Sequence, residues 1–329
     1  MRTIINLFSI RRAASPAAML ALLGLIVVGC GDGGDAASES GVEVVATTTQ
    51  LADLAANVAG ERAAVVGILA PNSDPHEYEP RPSDAESLAG ADLVLRSGGD
   101  VDLWLDQLIE GAGADAPVLT LIDSVRTVEG GHEEGDEHSE EVDPHWWQDP
   151  RNAIAAVEAI RDALIEVDPE GAGDYRANAR AYVADLRRLD AGIARCIDRV
   201  PPGERKLVTS HDALGYFADR YGIEVIGAAI PALSTQAQAS AGETAALVDL
   251  IRAEGVAAIF PEAGVSAQLE EAIASETGAQ IGGELWADAL GPPGSSGATY
   301  LGAMAANAAT LVDGFTGGRQ SCAIDVGAR

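Results

Sequence analysis

The sequence predicts an α/β protein of two lobes, each a mainly parallel sheet flanked by helices, joined by one long rigid linker helix. Short β-rich runs alternate with helical patterns on both sides of residues 171–200, which is typical of parallel sheets covered by helices. Within that range, apolar side chains recur at steps of three and four from Tyr175 to Ile197, marking one face of a helix roughly 40 Å long. The alternative interpretation of residues 171–200 is a surface helix that belongs to the first lobe alone and does not join the two lobes.

The N-terminal lobe is expected to span residues 42–170. Its first strand is rich in valine and leads into an Ala/Leu helix that Thr49 can cap. The pattern then repeats strand and helix three more times. Strands are expected at 42–47, 64–69, 93–96 and 118–121, and helices at 49–59, 83–90, 104–109 and from about residue 152.

The C-terminal lobe, residues 203–329, repeats the same alternation after Pro201 and Pro202. One of its helices ends at Gly278, a residue suited to helix C-termini. Strands are expected at 207–209, 224–230, 257–260 and 280–284, and helices at 212–221, 241–254, 266–277 and 299–314.

The first 30 residues have the composition of an export signal. Arg2, Arg11 and Arg12 precede an apolar stretch, residues 17–28, that is too short to span a bilayer as a helix. The stretch ends Val-Val-Gly-Cys and resembles a bacterial lipoprotein cleavage box, although such boxes usually carry Leu in place of Val27. The resemblance implies a lipidated Cys30, followed by a flexible tether over residues 31–41.

The chain is strongly acidic, with 51 Asp and Glu against 21 Lys and Arg and a net charge of −30. This charge argues against nucleic acid and anionic surfaces as partners. An acidic loop at residues 129–141 contains His132 and His138; it is either a solvated insertion or an accessory, weak metal-collecting tract. Cys196 and Cys322 can pair in an exported chain.

Three of the five histidines lie in strand-end turns. His76 and His145 each follow Asp-Pro, and His211 follows a short strand. In open α/β sheets this edge binds ligands, and imidazole is a common ligand of transition metals. Two histidines come from the first lobe and one from the second, so we expect a metal site between the lobes.

A fourth ligand is expected after the last strand of the second lobe. Asp288 is the best candidate, and Glu284 and Glu262 are weaker ones. The prolines before His76 and His145 restrict the neighbouring backbone. Three aromatic side chains next to these motifs are expected to line the site: Tyr78, Trp146 and Trp147.

These motifs resemble the zinc/manganese-type solute-binding proteins of bacterial ABC importers, solute-binding protein family 9. The resemblance extends from about residue 42 to residue 314. It rests on residues 74–84 (DPHEYEPRPSD), 143–150 (DPHWWQDP), 209–223 (TSHDALGYFADRYGI) and 285–291 (LWADALG). It implies two lobes joined by a long helix, metal in the cleft between them, and delivery to a membrane permease. By motif position it assigns His76, His145, His211 and Asp288 as the metal ligands.

Three imidazoles and one carboxylate suit Zn²⁺, and Mn²⁺ and Fe²⁺ are the alternatives. The resemblance implies a carboxylate at the position of His211 in manganese-type members. We therefore predict a monomeric, extracytoplasmic lipoprotein that is not an enzyme and that passes zinc to an ABC permease. A zinc hydrolase is the rival of another class, but four protein ligands leave no position for a reactive water. A surface adhesin is a third interpretation.

Overall fold

The N-terminal half of the chain, residues 42–170, is built on a four-stranded parallel sheet. The computed structural model describes residues 41–130 and 142–327. The strands are β1 (Val42–Ala46), β2 (Ala63–Gly67), β3 (Leu93–Arg96) and β4 (Val118–Thr120). They pair in the order β2-β1-β3-β4, each pair parallel. The helices are α1 (Thr49–Ala59), α2 (Pro82–Gly90), α3 (Trp104–Ala112) and α4 (Pro150–Val167).

The longest helix, α5 (Ala172–Ile197), follows α4. Every position of its predicted apolar stripe is buried, including Tyr182, Leu186 and Ile193. Its first half contacts α1: Asn178 Nδ2 donates to the Val58 carbonyl at 3.1 Å, and the Tyr182 hydroxyl donates to Asp53 at 3.1 Å.

The C-terminal half, residues 203–329, has the same strand order as the N-terminal half. Its strands are β5 (Lys206–Thr209), β6 (Glu224–Ala228), β7 (Ala258–Ile259) and β8 (Gln280–Ile281). Parallel pairs join β5 to β6 and β7 to β8, and a parallel bridge from Thr209 to Phe260 joins the pairs, giving β6-β5-β7-β8. The helices are α6 (Gly215–Tyr221), α7 (Ala241–Glu254), α8 (Gln268–Thr277) and α9 (Tyr300–Phe315).

The predicted α/β fold class is confirmed, with local differences at element ends. Helix α1 is capped by Thr48, whose hydroxyl accepts the Leu51 N–H, and not by Thr49. Helix α6 begins three residues later than predicted, because residues 211–213 form a tight turn in which the Ala213 N–H donates to the His211 carbonyl at 3.0 Å. Strand β8 is shorter than predicted because it runs into Gly283, whose φ of 106° is incompatible with a regular strand.

The two halves share one large hydrophobic core. It extends from β1 and α1 through α5 to α6 and α9, and it includes Trp147, Leu189, Phe217 and Leu311. Helix α5 packs against α1 and α4 on one side and against α9 and α6 on the other. Within the described ranges, no helix is long and apolar enough to cross a membrane.

A disulfide joins Cys196, at the end of α5, to Cys322 in the C-terminal tail. The Cα atoms are 5.7 Å apart, and the bond spans 126 residues of sequence. A cross-link that closes a long loop stabilises the folded state chiefly by restricting the unfolded chain. The bond therefore ties the tail to the helix that contacts both halves.

Loss of this cross-link is expected to lower stability without changing the fold. Replacing Cys196 and Cys322 together by serine should reduce the free energy of unfolding by about 2–5 kcal/mol. Urea denaturation with and without a thiol reductant measures the difference. The parent protein should lose the same amount on reduction, and the double variant should not respond to reductant. Equal midpoints for parent and variant under oxidising conditions would contradict the prediction.

Candidate metal centre

Four buried side chains from both halves of the chain converge on one point. His76 follows β2, His145 lies just before α4, His211 follows β5, and Asp288 lies between β8 and α9. One donor atom of each lies within 4.8 Å of the other three. His76 is 8% exposed, and the other three residues are at most 1% exposed. These are the four residues that the family motifs propose as ligands.

The distances between the donor atoms match a small coordination sphere. Asp288 Oδ2 lies 3.2 Å from His76 Nε2 and 3.1 Å from His211 Nε2, and Asp288 Oδ1 lies 3.4 Å from His145 Nε2. Two ligand atoms at ordinary zinc bond lengths in a tetrahedral site are roughly 3.3 Å apart. The cluster therefore has room for one ion of this size.

The same atoms are buried without satisfactory hydrogen bonds. Within the described part of the chain, the Nε2 atoms of the three histidines and both carboxylate oxygens of Asp288 lack a partner of hydrogen-bond geometry. Each such group costs about 1–3 kcal/mol in a folded protein. A divalent cation among them would be bound by the three nitrogens and one carboxylate oxygen, so the donor set fits a bound metal.

The two Asp-Pro-His motifs form the same turn but treat their histidines differently. Asp74 Oδ1 accepts the His76 N–H, and Asp143 Oδ1 accepts the His145 N–H, each at 2.9 Å. Asp143 Oδ1 also lies 2.7 Å from His145 Nδ1, whereas Asp74 uses its other oxygen to accept from the Thr235 hydroxyl. Asp143 therefore fixes the ring of His145 as well as its backbone, and this leaves Nε2 free to face the cluster.

Glu262 connects two members of the cluster. Its Oε2 lies 3.0 Å from His211 Nδ1, and its Oε1 accepts the Asp288 N–H at 3.1 Å. The Glu262 N–H donates in turn to the Ser210 hydroxyl at 2.9 Å. Glu262, a weaker candidate for the fourth ligand, thus orients a ring from behind. Glu284, the other weaker candidate, is exposed on the surface.

Hydrogen bonds across the two halves hold the Asp288 segment in place. Trp147 Nε1 and Gln148 Nε2 both donate to the Ala287 carbonyl at 2.8 Å. The Leu290 N–H donates to the Thr49 hydroxyl at 2.8 Å. The carboxylate is therefore positioned by residues that flank His145 and by the start of α1.

Of the three aromatic side chains expected to line the site, Trp147 contacts a histidine of the cluster. Its ring centroid lies 5.4 Å from that of His145. Trp146 packs on Trp147 and donates to Ser97, deeper in the core of the N-terminal half. Tyr78 packs on Trp104 at 5.0 Å and donates to Asp84. These two contacts point away from the cluster.

The loop between β6 and α7 contacts the least buried ligand candidate. Gln236 Nε2 donates to the His76 carbonyl, and the Thr235 hydroxyl donates to Asp74 at 2.6 Å. Both bonds run from the C-terminal half to the turn that carries His76. The position of His76 therefore depends on contacts between the halves.

The electrostatics of the cluster favour protonation of His145 and His211 beside an ionised Asp288. Burial opposes protonation of His211, but the carboxylates of Asp288 and Glu262 hold its pKa well above its ordinary value. For His145, burial is likewise outweighed, by Asp288 and Asp143, and its pKa is raised. Burial would raise the pKa of Asp288, but the neighbouring His211 and His145 hold it well below its usual range. A bound cation would take over the role of these protons.

The ring partners Asp143 and Glu262 are the functional residues that the sequence did not identify in these roles. The Asp-Pro-His repeat marks the turn, but Asp74 and Asp143 are indistinguishable within it. Three of the earlier candidates, Cys30 and the accessory His132 and His138, lie outside the described residues.

Asparagine at position 143 is expected to weaken metal binding by ten- to a hundredfold, about the usual effect of removing a ring partner of a ligating histidine. The amide keeps an acceptor for the backbone turn but loses the charge beside His145 Nδ1. Asp74→Asn is the matched control, because its turn is the same and its ring contact is missing; its loss should stay below about tenfold. Competition titration against a chromophoric chelator measures both, and equal losses would contradict a role through the ring.

Comparison with known proteins places this geometry in a family context. Residues 44–314 match the family model described as the zinc-uptake complex component A, periplasmic. The manganese-binding lipoprotein MntA of Halalkalibacterium halodurans is 33% identical over 300 residues, covering 91% of this chain and 97% of that protein. The zinc-binding protein TroA of Treponema pallidum is 32% identical, covering 84% and 90%. The iron-binding protein YfeA of Yersinia pestis is 32% identical, covering 83% and 86%.

Solved structures agree on the fold. The periplasmic zinc-binding protein TroA of Treponema pallidum superposes with a TM-score of 0.75 at 30% identity, covering 84% of this chain and 99% of that one. A manganese-bound periplasmic metal-binding protein from Candidatus Liberibacter asiaticus also gives a TM-score of 0.75, at 27% identity, covering 83% and 99%. Names that mention zinc, manganese and iron all occur among proteins of similar identity.

Proposed function

Because the chain belongs to the family of periplasmic zinc-uptake components, a family of transport components and not of enzymes, we propose that it captures zinc outside the cytoplasmic membrane and delivers it to an ABC permease. The lipidated Cys30 would hold it at the membrane through the tether at residues 31–41. Residues 42–170 and 203–329 serve as the two lobes, with α5 as their connection. Relatives named for binding manganese and iron are similar to this chain over most of its length.

One observation carries the assignment of the site. Three imidazole nitrogens and one carboxylate are all buried and lack hydrogen bonds of good geometry, and one donor atom of each residue lies within 4.8 Å of the others. Four protein ligands complete a tetrahedral zinc site and leave no open position for a reactive water. The arrangement therefore supports binding and transport over hydrolysis.

The choice of zinc over manganese rests on the donor atoms. Neutral imidazole suits Zn²⁺, whereas Mn²⁺ prefers more oxygen ligands. His211 supplies nitrogen, and its neighbour Glu262 is engaged with the far side of the ring. At a site of nitrogen and oxygen donors, Zn²⁺ also binds more tightly than Mn²⁺ or Fe²⁺ by the usual affinity order.

Metal content tests the proposal directly. Protein purified without added metal should contain zinc, about one ion per chain, by elemental analysis. In competition, Zn²⁺ should displace Mn²⁺ and bind at least roughly a hundredfold more tightly. A chain that retains manganese or iron against zinc would overturn the choice of metal. A chain that binds none of the three would overturn the function.

Affinity is expected to rise with pH. The pKa values of His145 and His211 are raised in the metal-free protein, so their protons must leave when the metal binds. Below the raised pKa values, affinity should increase up to about tenfold per pH unit for each proton released, and then level off. The same protons stabilise the metal-free fold below the unfolded pKa of about 6.5, and that contribution is lost as pH rises through the raised values.

Chelator competition between about pH 5.5 and 8, corrected for the chelator's own protonation, measures this dependence. Proton release on adding zinc, followed with a weakly buffered indicator, provides an independent readout. An affinity that stays constant across this range would contradict protonated histidines in the metal-free cluster.

A further inference from the structure

The outward face of α5 is basic in a chain that is otherwise strongly acidic. Its exposed side chains are arginines and alanines, apart from Gly173 and one acid, Asp174, in the first turn. The arginines lie at helical spacing, so they share one side of the helix. We call this surface the arginine face; it consists of Arg176, Arg180, Arg187, Arg188 and Arg195.

Among the other acids of α5, only Asp185 neutralises an arginine of this face. Asp185 is buried and pairs with Arg188. Asp190 turns towards α6, where it lies 2.7 Å from Arg220 Nη2 and 3.0 Å from the Tyr221 hydroxyl. Within residues 41–130 and 142–327, four arginines of the face form neither an ion pair nor a side-chain hydrogen bond: Arg176, Arg180, Arg187 and Arg195. The charge of Arg176 acts on Asp162 of α4, whereas the other three have no such neighbour.

The C-terminal tail makes the second half of this face concave. The disulfide to Cys322 holds the tail along α5, and Ile324 packs over Gly192. A groove of about 680 Å³ lies between helix and tail. Its basic lining consists of Arg187, Arg188, Arg195 and Arg199, with Asp325 as the acid.

The chemistry of the face suits phosphate groups. All of its cations are guanidinium groups, whose planar donors match phosphate oxygens in pairs. The nearest phosphate-rich surface is the membrane that would hold the lipid anchor, because the chain enters the fold close to α5. Val42, at the start of β1, pairs with Ala63, and the neighbouring Arg62 forms a 2.8 Å ion pair with Asp168, which lies just before α5. The tether therefore enters beside the start of α5.

The reach of the tether is comparable with the length of the helix. From Cys30 to Gly41 the chain can extend at most roughly 40 Å. The 26 residues of α5 span about 39 Å. A chain anchored at Cys30 thus keeps the whole arginine face within reach of the bilayer.

We propose that the arginine face of α5 rests on the anionic phospholipid headgroups of the membrane to which the chain is anchored. This inference rests on the anchoring part of the proposed function. The acidic remainder of the surface would repel anionic headgroups. Salt screens charges that lie more than about 8–10 Å away, so the arginine face can still attract the headgroups next to it.

Vesicle binding by the lipid-free chain tests the contact. All interactions described above lie within residues 41–327, and residues 40–329 form one compact unit, so a chain that starts at Gly31 keeps its fold. It should sediment with vesicles containing about one-third phosphatidylglycerol and not with pure phosphatidylcholine vesicles. Binding should fall steeply as salt is raised. The test variant replaces three unpaired arginines by glutamine: Arg180, Arg187 and Arg195.

The test variant should lose about a hundredfold in vesicle affinity, because each basic residue near an anionic bilayer contributes roughly fivefold. A control with the same change in net charge should bind like the parent. It replaces three exposed arginines of other surfaces by glutamine: Arg81, Arg126 and Arg252. Circular dichroism and thermal unfolding establish that both variants fold.

Three results would overturn the proposal: equal vesicle binding by the test and control variants, equal binding to both kinds of vesicle, or no vesicle binding by the parent. A test variant that keeps vesicle binding but loses capture of the solubilised permease would assign the face to a protein partner instead. Zinc affinity is measured in parallel: it should be unchanged in the test variant, and its absence from the parent would count against the proposed function and not against the membrane contact.

Discussion

Replacement of His145 by alanine is expected to reduce zinc affinity about a thousandfold, roughly one ligand's share of the free energy of a four-ligand site. The imidazole is completely buried, and Asp143 holds its Nδ1 so that Nε2 faces Asp288 at 3.4 Å. Alanine removes the donor and leaves a cavity that no neighbouring ligand can fill. Calorimetry at neutral pH, with a competing chelator for the parent, measures the loss.

His132→Ala is the matched control for this variant. It removes one histidine of the acidic loop, and its effect on the tight site should be less than about twofold. Both variants are compared by thermal unfolding in the absence of metal. Unchanged affinity in a folded His145→Ala protein would reject the assignment of the site.

The second large effect is expected at Asp288. Asparagine preserves the shape of the side chain but removes the one negative charge among the donors, so zinc affinity should fall by about a hundred- to a thousandfold. The negative charge of Asp288 is also the main cause of the raised pKa values of His145 and His211. In Asp288→Asn those pKa values should fall, and the remaining affinity should depend less on pH.

Glu284→Gln provides the control for charge. It removes one acid only four residues away, on the exposed side of the same segment. Its affinity and pH profile should match those of the parent within about twofold. If Glu284→Gln and Asp288→Asn lose affinity equally, a general electrostatic effect would replace coordination as the explanation.

The shared core limits how far the halves can move when metal binds. Trp147, Leu189 and Phe217 belong to one hydrophobic cluster, and α5 contacts both halves. Wide opening would expose this cluster to water, and the free-energy cost would be about 25 cal/mol per Å² of apolar surface exposed. Small movements at the turn of His76 cost less free energy, because only a few hydrogen bonds, from Thr235 and Gln236, hold this turn to the other half. His76 is also the least buried ligand candidate.

Most helices and strands could be predicted because short stretches of sequence contain the apolar patterns that mark them. The apolar period from Tyr175 to Ile197 identified α5, and every position of that stripe is buried. The short apolar runs identified β1 and β3 to within a residue. The start of α6 differs from the prediction because a tight turn at residues 211–213 precedes it, and the apolar period of the helix does not reveal that turn.

The sequence was sufficient to predict the four ligand candidates and their strand-end positions, because each lies in a short motif with its own turn chemistry: His76, His145, His211 and Asp288. The sequence was not sufficient to predict the partners that orient these donors. Asp74 and Asp143 occupy identical places in identical tripeptides, yet only Asp143 touches a ring, and Glu262 reaches His211 from the segment after β7. Local sequence determines backbone turns and burial patterns through short-range sterics and periodicity. Which carboxylate meets which imidazole depends on how two sheets pack through a common core, and only the tertiary structure decides it.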